Sequence, residues 1–137
     1  RKSKQEYALK LMKEIISINA PGAIGPYSQA ICSNGVCYLS GQIPLDKNGE
    51  LVEGSIEKQA EQVFKNIEAI LLEQKASLKN IIKLNVYLTD IKNFETVNKL
   101  MMKLFKTPYP ARALVEVSAL PKGVAIEIEA IAEVSDK

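Results

Sequence analysis

YPARALVEVSALPKGVAIEIEAIA, residues 109–132, is the stretch of this sequence that says most about its fold. Apolar residues alternate along both halves, as in β-strands, and Leu-Pro-Lys-Gly at 120–123 is typical of a turn. The pattern therefore predicts a β-hairpin that closes the chain. Four charged residues stand where a core strand would be apolar and a solvent-facing strand would carry lysine: Arg112, Glu116, Glu127 and Glu129.

Upstream of this stretch the sequence predicts three strands and two helices around a fourth strand. The segments are a strand at 13–18, a hairpin at 28–43 that turns at Asn34-Gly35, a helix at 55–75, a strand at 80–90 and a helix at 93–105. Asn-Gly is a strong hairpin signal, and Ser55 is a good helix N-cap. The order β-β-β-α-β-α-β-β predicts an α+β fold, a two-layer sandwich with both helices on one face of a single sheet.

Alternation along the strands predicts which side chains face the helices. The inward positions are expected to be Ile82, Leu84, Val86 and Leu88 in the fourth strand, Phe94, Val97, Met101 and Leu104 in the second helix, and Ala113, Val115, Val117, Ala119, Val124, Ile126, Ile128 and Ala130 in the last hairpin. The opposite face then carries Arg112, Leu114, Glu116, Ser118, Ala125, Glu127, Glu129 and Ile131, with Ile81, Lys83, Asn85, Tyr87 and Thr89 from the fourth strand. In the early hairpin, either Val36, Tyr38, Ser40 and Gln42 or Cys37, Leu39, Gly41 and Ile43 join it. Such a mixed polar and apolar face is typical of an oligomer interface.

The composition narrows the classes of function. The 137 residues are one domain's worth, 47% are apolar, and the formal net charge is +2 with both signs interspersed. This balance speaks against nucleic-acid binding, which usually shows as a basic patch. No apolar run approaches the roughly 18 residues that span a membrane.

The chain has no histidine and two cysteines, Cys32 and Cys37, whose spacing is not C-x-x-C. A zinc site is therefore not expected, and the usual Ser-His and Cys-His nucleophile pairs are excluded. Two unpaired thiols favour a reducing compartment. We therefore expect the cytoplasm, with a mitochondrion or another organelle as the alternative that an N-terminal extension at residues 1–11 leaves open. Residues 12–137 are expected to form a single domain, and residues 1–11 either a flexible extension or an amphipathic helix reaching to about Ile16.

Arg112 is the most informative residue for chemistry. Its planar guanidinium fits a carboxylate through two parallel hydrogen bonds, so one interpretation is a substrate anchor. The other is a salt bridge to Glu116, Glu127 or Glu129. Glu127 and Glu129 lie two residues apart on one strand face, where mutual repulsion raises the pKa of one of them and suits it to carry protons. The alternative is a solvated or lysine-paired strand face.

Four further residues are weaker candidates. Tyr27 is either an aromatic clasp for its loop or a phenol that lines a pocket. Ser40 and Gly41 stand at a strand end, where they can present a hydroxyl and an amide. Asn98 lies near the middle of the second helix, where a polar residue often faces solvent.

From about residue 12 onward the chain resembles the RidA/YjgF (reactive intermediate deaminase) family. The matching stretches are NAPGAIGPYSQA, YLSGQIPLD, VYLTDIKNFETVN, YPARALVEVSALPKG and IEIEAIAEV, in the same order and spacing. The resemblance implies a chorismate-mutase-like fold with a mixed sheet, assembled as a homotrimer around a central barrel. It also implies three active sites between subunits.

The resemblance also implies site roles. Arg112 would hold the substrate carboxylate, and Glu127 would activate water or exchange protons with the imine. Tyr27, Ser40, Gly41 and Asn98 would line the pocket, with Tyr27 coming from the neighbouring subunit. Some family members carry a cysteine where this chain has Leu114, which removes any thiol role there.

The activity implied by the resemblance is 2-iminobutanoate/2-iminopropanoate deaminase. Such an enzyme hydrolyses reactive enamine and imine acids, released by pyridoxal-phosphate enzymes, to 2-oxo acids and ammonia, without a metal or cofactor. Two alternatives remain. One is an endoribonuclease or translation inhibitor, against which the balanced charge and missing histidine speak. The other is a chaperone-like or ligand-sensing trimer that binds small carboxylates without turnover.

Overall fold

A computed structural model of the chain describes residues 3–4 and 12–134. The expectation of a helix or a flexible extension over residues 1–11 lies almost wholly outside the described residues. Where that predicted helix would reach Ile16, the structure has the first strand instead. None of the helices in the described part of the chain is both long enough and apolar enough to cross a membrane.

Six strands form one mixed sheet, in the order β1-β2-β3-β6-β4-β5. Two helices pack on one face of it, and their buried side chains join those of the strands in one core. The predicted α+β class and element order are confirmed. The elements are β1 (Met12–Ile15), β2 (Ala30–Ser33), β3 (Val36–Gln42), α1 (Ile56–Leu72), β4 (Ile81–Leu88), α2 (Phe94–Leu104), β5 (Ala111–Glu116) and β6 (Ile126–Glu133).

The predicted closing hairpin is wrong. Strand β5 pairs in parallel with β4 at the sheet edge, whereas β6 lies between β3 and β4 and is antiparallel to both. The predicted turn residues form a 3₁₀ segment, Pro121–Gly123, in a connection that reverses the chain but takes it past β4, so that β5 and β6 are not paired with each other. Because helix α2 crosses over between β4 and β5, these two strands run parallel. Periodicity identified both strands but not their partners.

The early hairpin forms as predicted. Asn34 and Gly35 both have positive φ, 52° and 79°, as a two-residue type I′ turn requires. The expectation of two unpaired thiols is wrong, because Cys32 and Cys37 are direct cross-strand partners and are joined as a disulfide. The support that free thiols gave to a reducing compartment is thereby removed.

The helix N-cap at Ser55 is confirmed, since its hydroxyl oxygen accepts a hydrogen bond from the Lys58 N–H at 3.2 Å. Helix α2 buries a narrower stripe than predicted. Val97 and Met101 are buried as expected, together with Leu100, whereas Phe94 and Leu104 are exposed at the two ends of the helix. The stripe is narrow because α2 covers the sheet edge, where fewer neighbours surround its ends.

The face of β4 changes at its first residues. Its pairing with β6 shifts register between Ile81 and Lys83, so Ile81 is 5% exposed and Ile82 is 48% exposed, the reverse of the prediction. From Leu84 onward the predicted alternation holds. A bulge adds one residue to a strand and inverts its side-chain faces.

The predicted parity of β5 is also inverted. Leu114 is the direct partner of buried Val86 and packs against the core, whereas Val115 is 46% exposed beside Tyr87. Arg112 shares this parity with Leu114, so it lies on the helix side of the sheet. Apolar residues occupy both parities of this edge strand, which is why alternation alone chose the wrong one. The parity predicted for β6 is confirmed, with Ile126, Ile128 and Ala130 buried.

Candidate functional site

Arg112 is held by the second helix. Its Nη1 donates to Asn98 Oδ1 at 2.6 Å and contacts Met101 Sδ at 3.4 Å. Among the described residues no carboxylate forms an ion pair with it, so the salt-bridge interpretation is wrong. The neutral amide of Asn98 orients the guanidinium without neutralising its charge. The exposed guanidinium can therefore still donate hydrogen bonds to a carboxylate.

Glu116 has a structural partner instead of Arg112. Its Oε1 accepts a hydrogen bond from the backbone N–H of Ile91 at 2.9 Å. This contact links the end of β5 to the turn that leads into α2. Glu116 therefore helps to place the helix that holds Arg112.

Glu127 and Glu129 lie on the open face of the sheet, by which we mean the face away from both helices. Glu129 Oε1 accepts from Tyr87 Oη at 2.6 Å and from Asn85 Nδ2 at 3.0 Å. Burial raises the pKa of Glu127, and the charge of Glu129 raises it further. The prediction that one carboxyl of this pair has a raised pKa is confirmed. A partly buried acid of this kind suits proton transfer.

Ser40 and Gly41 lie in a bulge, where pairing between β3 and β6 is interrupted between Leu39 and Gln42. The Ser40 hydroxyl donates to the Ser28 carbonyl at 2.6 Å, so it fixes the preceding loop rather than standing free. A side chain at Gly41 would collide with the Glu127 carboxylate. The glycine therefore makes room for the candidate acid. The bulge also means that neither predicted parity of β3 holds along its whole length.

Tyr27 has the first of the two roles that the sequence left open, an aromatic clasp for its loop. Its Oη accepts from the Ile24 N–H at 3.4 Å, and its own N–H donates to the Gly25 carbonyl at 2.8 Å, so it clasps its loop. Tyr27 is also 48% exposed, so its pocket-lining role stays a prediction.

The candidate residues form two groups on opposite sides of the sheet. Arg112 and Asn98 lie on the helix side at the β5 edge, whereas Gly41 and Glu127 lie on the open face. Strand β4 separates β5 from β6, so one chain does not bring the two groups into one pocket. The prediction that Arg112 and Glu127 lie on the same face of the sheet is therefore wrong.

Two residues that the sequence placed on the open face without a role are Asn85 and Tyr87. Their link to Glu129 depends on the register between β4 and β6, which no local pattern reveals. The described residues contain no group of three or more His, Cys, Asp or Glu side chains placed to hold a metal ion.

A family profile described as "Endoribonuclease L-PSP" matches residues 17–134. The chain belongs to the RidA/YjgF family. A human relative named 2-iminobutanoate/2-iminopropanoate deaminase is 47% identical over 124 residues, which cover 89% of this chain and 90% of the human protein.

Solved structures of RidA/YjgF relatives share the fold. Yeast Mmf1 superposes with a TM-score of 0.87 at 44% identity, covering 90% of this chain and 99% of Mmf1. Escherichia coli TdcF, solved with bound serine, gives a TM-score of 0.82 at 39% identity, with 90% of this chain and 99% of TdcF covered.

Proposed function

We propose that this RidA/YjgF protein hydrolyses small 2-imino acids, 2-iminobutanoate and 2-iminopropanoate, to 2-oxo acids and ammonia. The observation that carries the proposal is the Arg112 guanidinium, which an amide orients and no carboxylate neutralises among the described residues. The name of the human relative and the serine bound to TdcF support a small carboxylate substrate.

In the proposed reaction Arg112 binds the substrate carboxylate and so fixes the imine carbon in place. The oxygen of water forms a bond to that carbon, and the C=N π electrons move to nitrogen, which takes up a proton. The carbinolamine nitrogen then takes up a second proton, and the C–N bond breaks with its electron pair going to nitrogen. The hydroxyl proton is lost as the C=O bond forms, which releases ammonia and the 2-oxo acid. Orientation by Arg112 and proton transfer through Glu127 are the two catalytic contributions. No step needs a metal or a cofactor.

We further propose that the active site forms between subunits of a homotrimer whose sheets surround a central barrel. The placement of Arg112 and Glu127 on opposite sides of the sheet supports this, because a second copy must supply the missing half of the site. The open face supports it too, since it mixes carboxylates with exposed Tyr38 and Val115. In this arrangement Tyr27 and Gly41 line the pocket on the Glu127 side, with Ser40 behind them, and Asn98 supports Arg112.

The proposed activity is tested by supplying the imine from a threonine dehydratase and following 2-oxobutanoate or ammonia release. The wild type is expected to accelerate release, and Arg112→Ala to lower kcat/KM by ~10²-fold or more. Arg112→Lys should fall between them, because an ammonium lacks the planar fork. Lys65→Ala, which removes a cation from the outer face of α1, is the control. Equal rates for wild type and Arg112→Ala would reject the site.

A second candidate function, RNA cleavage, is favoured by the descriptions of the family profile and of a solved Thermotoga maritima relative, both of which name an endoribonuclease. It predicts degradation of single-stranded RNA that co-purifies with the protein to homogeneity. Loss of that degradation during purification, with imine hydrolysis retained, would exclude it.

A further inference from the structure

Asn85, Tyr87 and Glu129 form a hydrogen-bonded cluster on the open face, next to Glu127. In the register of β4 and β6, Asn85 is the direct partner of Glu129, and Tyr87 is the direct partner of Glu127. The Tyr87 hydroxyl nevertheless donates diagonally to Glu129, where it meets the Asn85 amide on the same carboxylate oxygen. Two donors thus fix Glu129, and the hydroxyl of Tyr87 is turned away from Glu127.

The carboxylates of Glu127 and Glu129 lie close together, and neither forms an ion pair among the described residues. Lys83 from β4 and Tyr38 from β3 share a cleft of about 170 Å³ with Glu129, but Lys83 forms no ion pair with it. On the other side of Glu127 lies the backbone of Gly41. The hydrogen bond to Glu129 raises the pKa of Tyr87 to about 12, so this tyrosine stays a neutral donor at physiological pH.

A fixed negative charge beside a partly buried carboxyl group favours that group's protonated form. We propose that Asn85 and Tyr87 are positioning residues that hold Glu129 beside Glu127, and that Glu129 in turn favours protonated Glu127, which donates to the substrate nitrogen. This inference rests on the proposed function. When the Glu127 O–H bond breaks, an N–H bond forms on the substrate, and the carboxylate regains its proton from the attacking water.

The test compares Glu129→Gln with Glu133→Gln, which makes the same change on the same face of β6 but four residues further along the strand from Glu127. Removing the charge of Glu129 makes Glu127 easier to deprotonate, so the limb of the kcat/KM–pH profile that belongs to Glu127 should move to lower pH. Glu133→Gln should leave the limb in place. The maximal kcat/KM of Glu129→Gln should fall by less than the ~10²-fold expected for loss of the proton carrier itself.

Tyr87→Phe keeps the charge of Glu129 but removes one of its two tethers. It should move the same limb in the same direction by a smaller amount, because Glu129 is then free to turn away from Glu127. A merely structural role for Tyr87 predicts lower stability with an unmoved limb, and that result would overturn its positioning role.

Carboxyl titration by NMR in the substrate-free protein separates this inference from the proposed function. A downward shift of the Glu127 titration in Glu129→Gln, absent in Glu133→Gln, supports the inference even if imine hydrolysis fails. An unmoved Glu127 titration, or an equal shift in both variants, overturns it even if the wild type is an active deaminase.

Discussion

Gly41 and Glu127 meet where strand β3 bulges against β6. The glycine has no side chain, and the space it leaves is occupied by the Glu127 carboxylate. The Glu127 carboxylate lies partly buried against the Gly41 backbone, and burial is the largest cause of its raised pKa. The missing side chain at Gly41 therefore leaves the space in which the Glu127 carboxylate is partly buried.

Gly41→Ala should lower the free energy of unfolding by about 1–3 kcal/mol, because the new methyl group overlaps the Glu127 carboxylate. Gly22→Ala is the matched control, since a Cβ there meets nothing within 4 Å. Adding Glu127→Ala to Gly41→Ala should recover most of the loss in a double-mutant cycle measured by urea unfolding. Additive effects of the two substitutions would show that the residues do not meet.

Glu127→Gln should make the stability less dependent on pH. Because the folded state raises the pKa of Glu127, it binds this proton more tightly than the unfolded chain does, and that contribution is full below the unfolded value of about 4.3. It is lost as pH rises through the folded pKa. The Tm of the variant should therefore rise relative to that of the wild type as pH rises from about 4 through the folded pKa of Glu127. Glu61→Gln, on α1, controls for loss of a carboxylate, and a pH-independent difference for Glu127→Gln would contradict this account.

At the scale of elements, periodicity and turn residues predicted which segments form helices and strands. They did not predict the position of each strand in the sheet, which depends on strand pairing. The Asn34-Gly35 turn and the Ser55 N-cap could be predicted from the sequence because local backbone chemistry determines both. The face on which Arg112 lies could not be predicted, because apolar residues occupy both parities of β5 and alternation does not show which parity is buried. The bulges in β3 and β4 inverted further faces, and they result from tertiary packing rather than from local pattern.

Gln29 explains why the first strand ends at Ile15 although the apolar pattern continues. The buried side chain of Gln29 accepts from the Ser17 N–H at 2.6 Å and donates to the carbonyls of Ser17 and Pro21 at 3.1 and 2.9 Å. These bonds replace strand pairing and secure the loop that leads to Tyr27.

Gln29→Leu should lower the free energy of unfolding by ~1–3 kcal/mol, because it leaves buried backbone groups without partners. Hydrogen exchange of the Ser17 amide should accelerate well beyond that of amides in α1. Exchange that rises equally in the loop and in α1 would indicate a global effect rather than loss of a local tether.

At the scale of the whole molecule, the sheet separates the two halves of the proposed site. The sequence motifs identified Arg112 and Glu127 as candidate site residues. That they lie on opposite sides of the sheet became clear only from the order and pairing of the strands. An assembly that brings the β5 edge of one subunit to the open face of another would unite an oriented guanidinium with a partly buried acid. Each subunit would then contribute Arg112 to one site and Glu127 to another.

Subunit mixing tests this claim most directly. Arg112→Ala and Glu127→Gln variants, each expected to lose ~10²-fold in kcat/KM alone, are unfolded together in equal amounts, refolded and assayed for imine hydrolysis. In a cyclic assembly with intersubunit sites, about a quarter of the sites receive Arg112 from one chain and Glu127 from the other, so about a quarter of wild-type activity should return. Activity that stays at the sum of the two separately refolded variants would contradict a site shared between subunits.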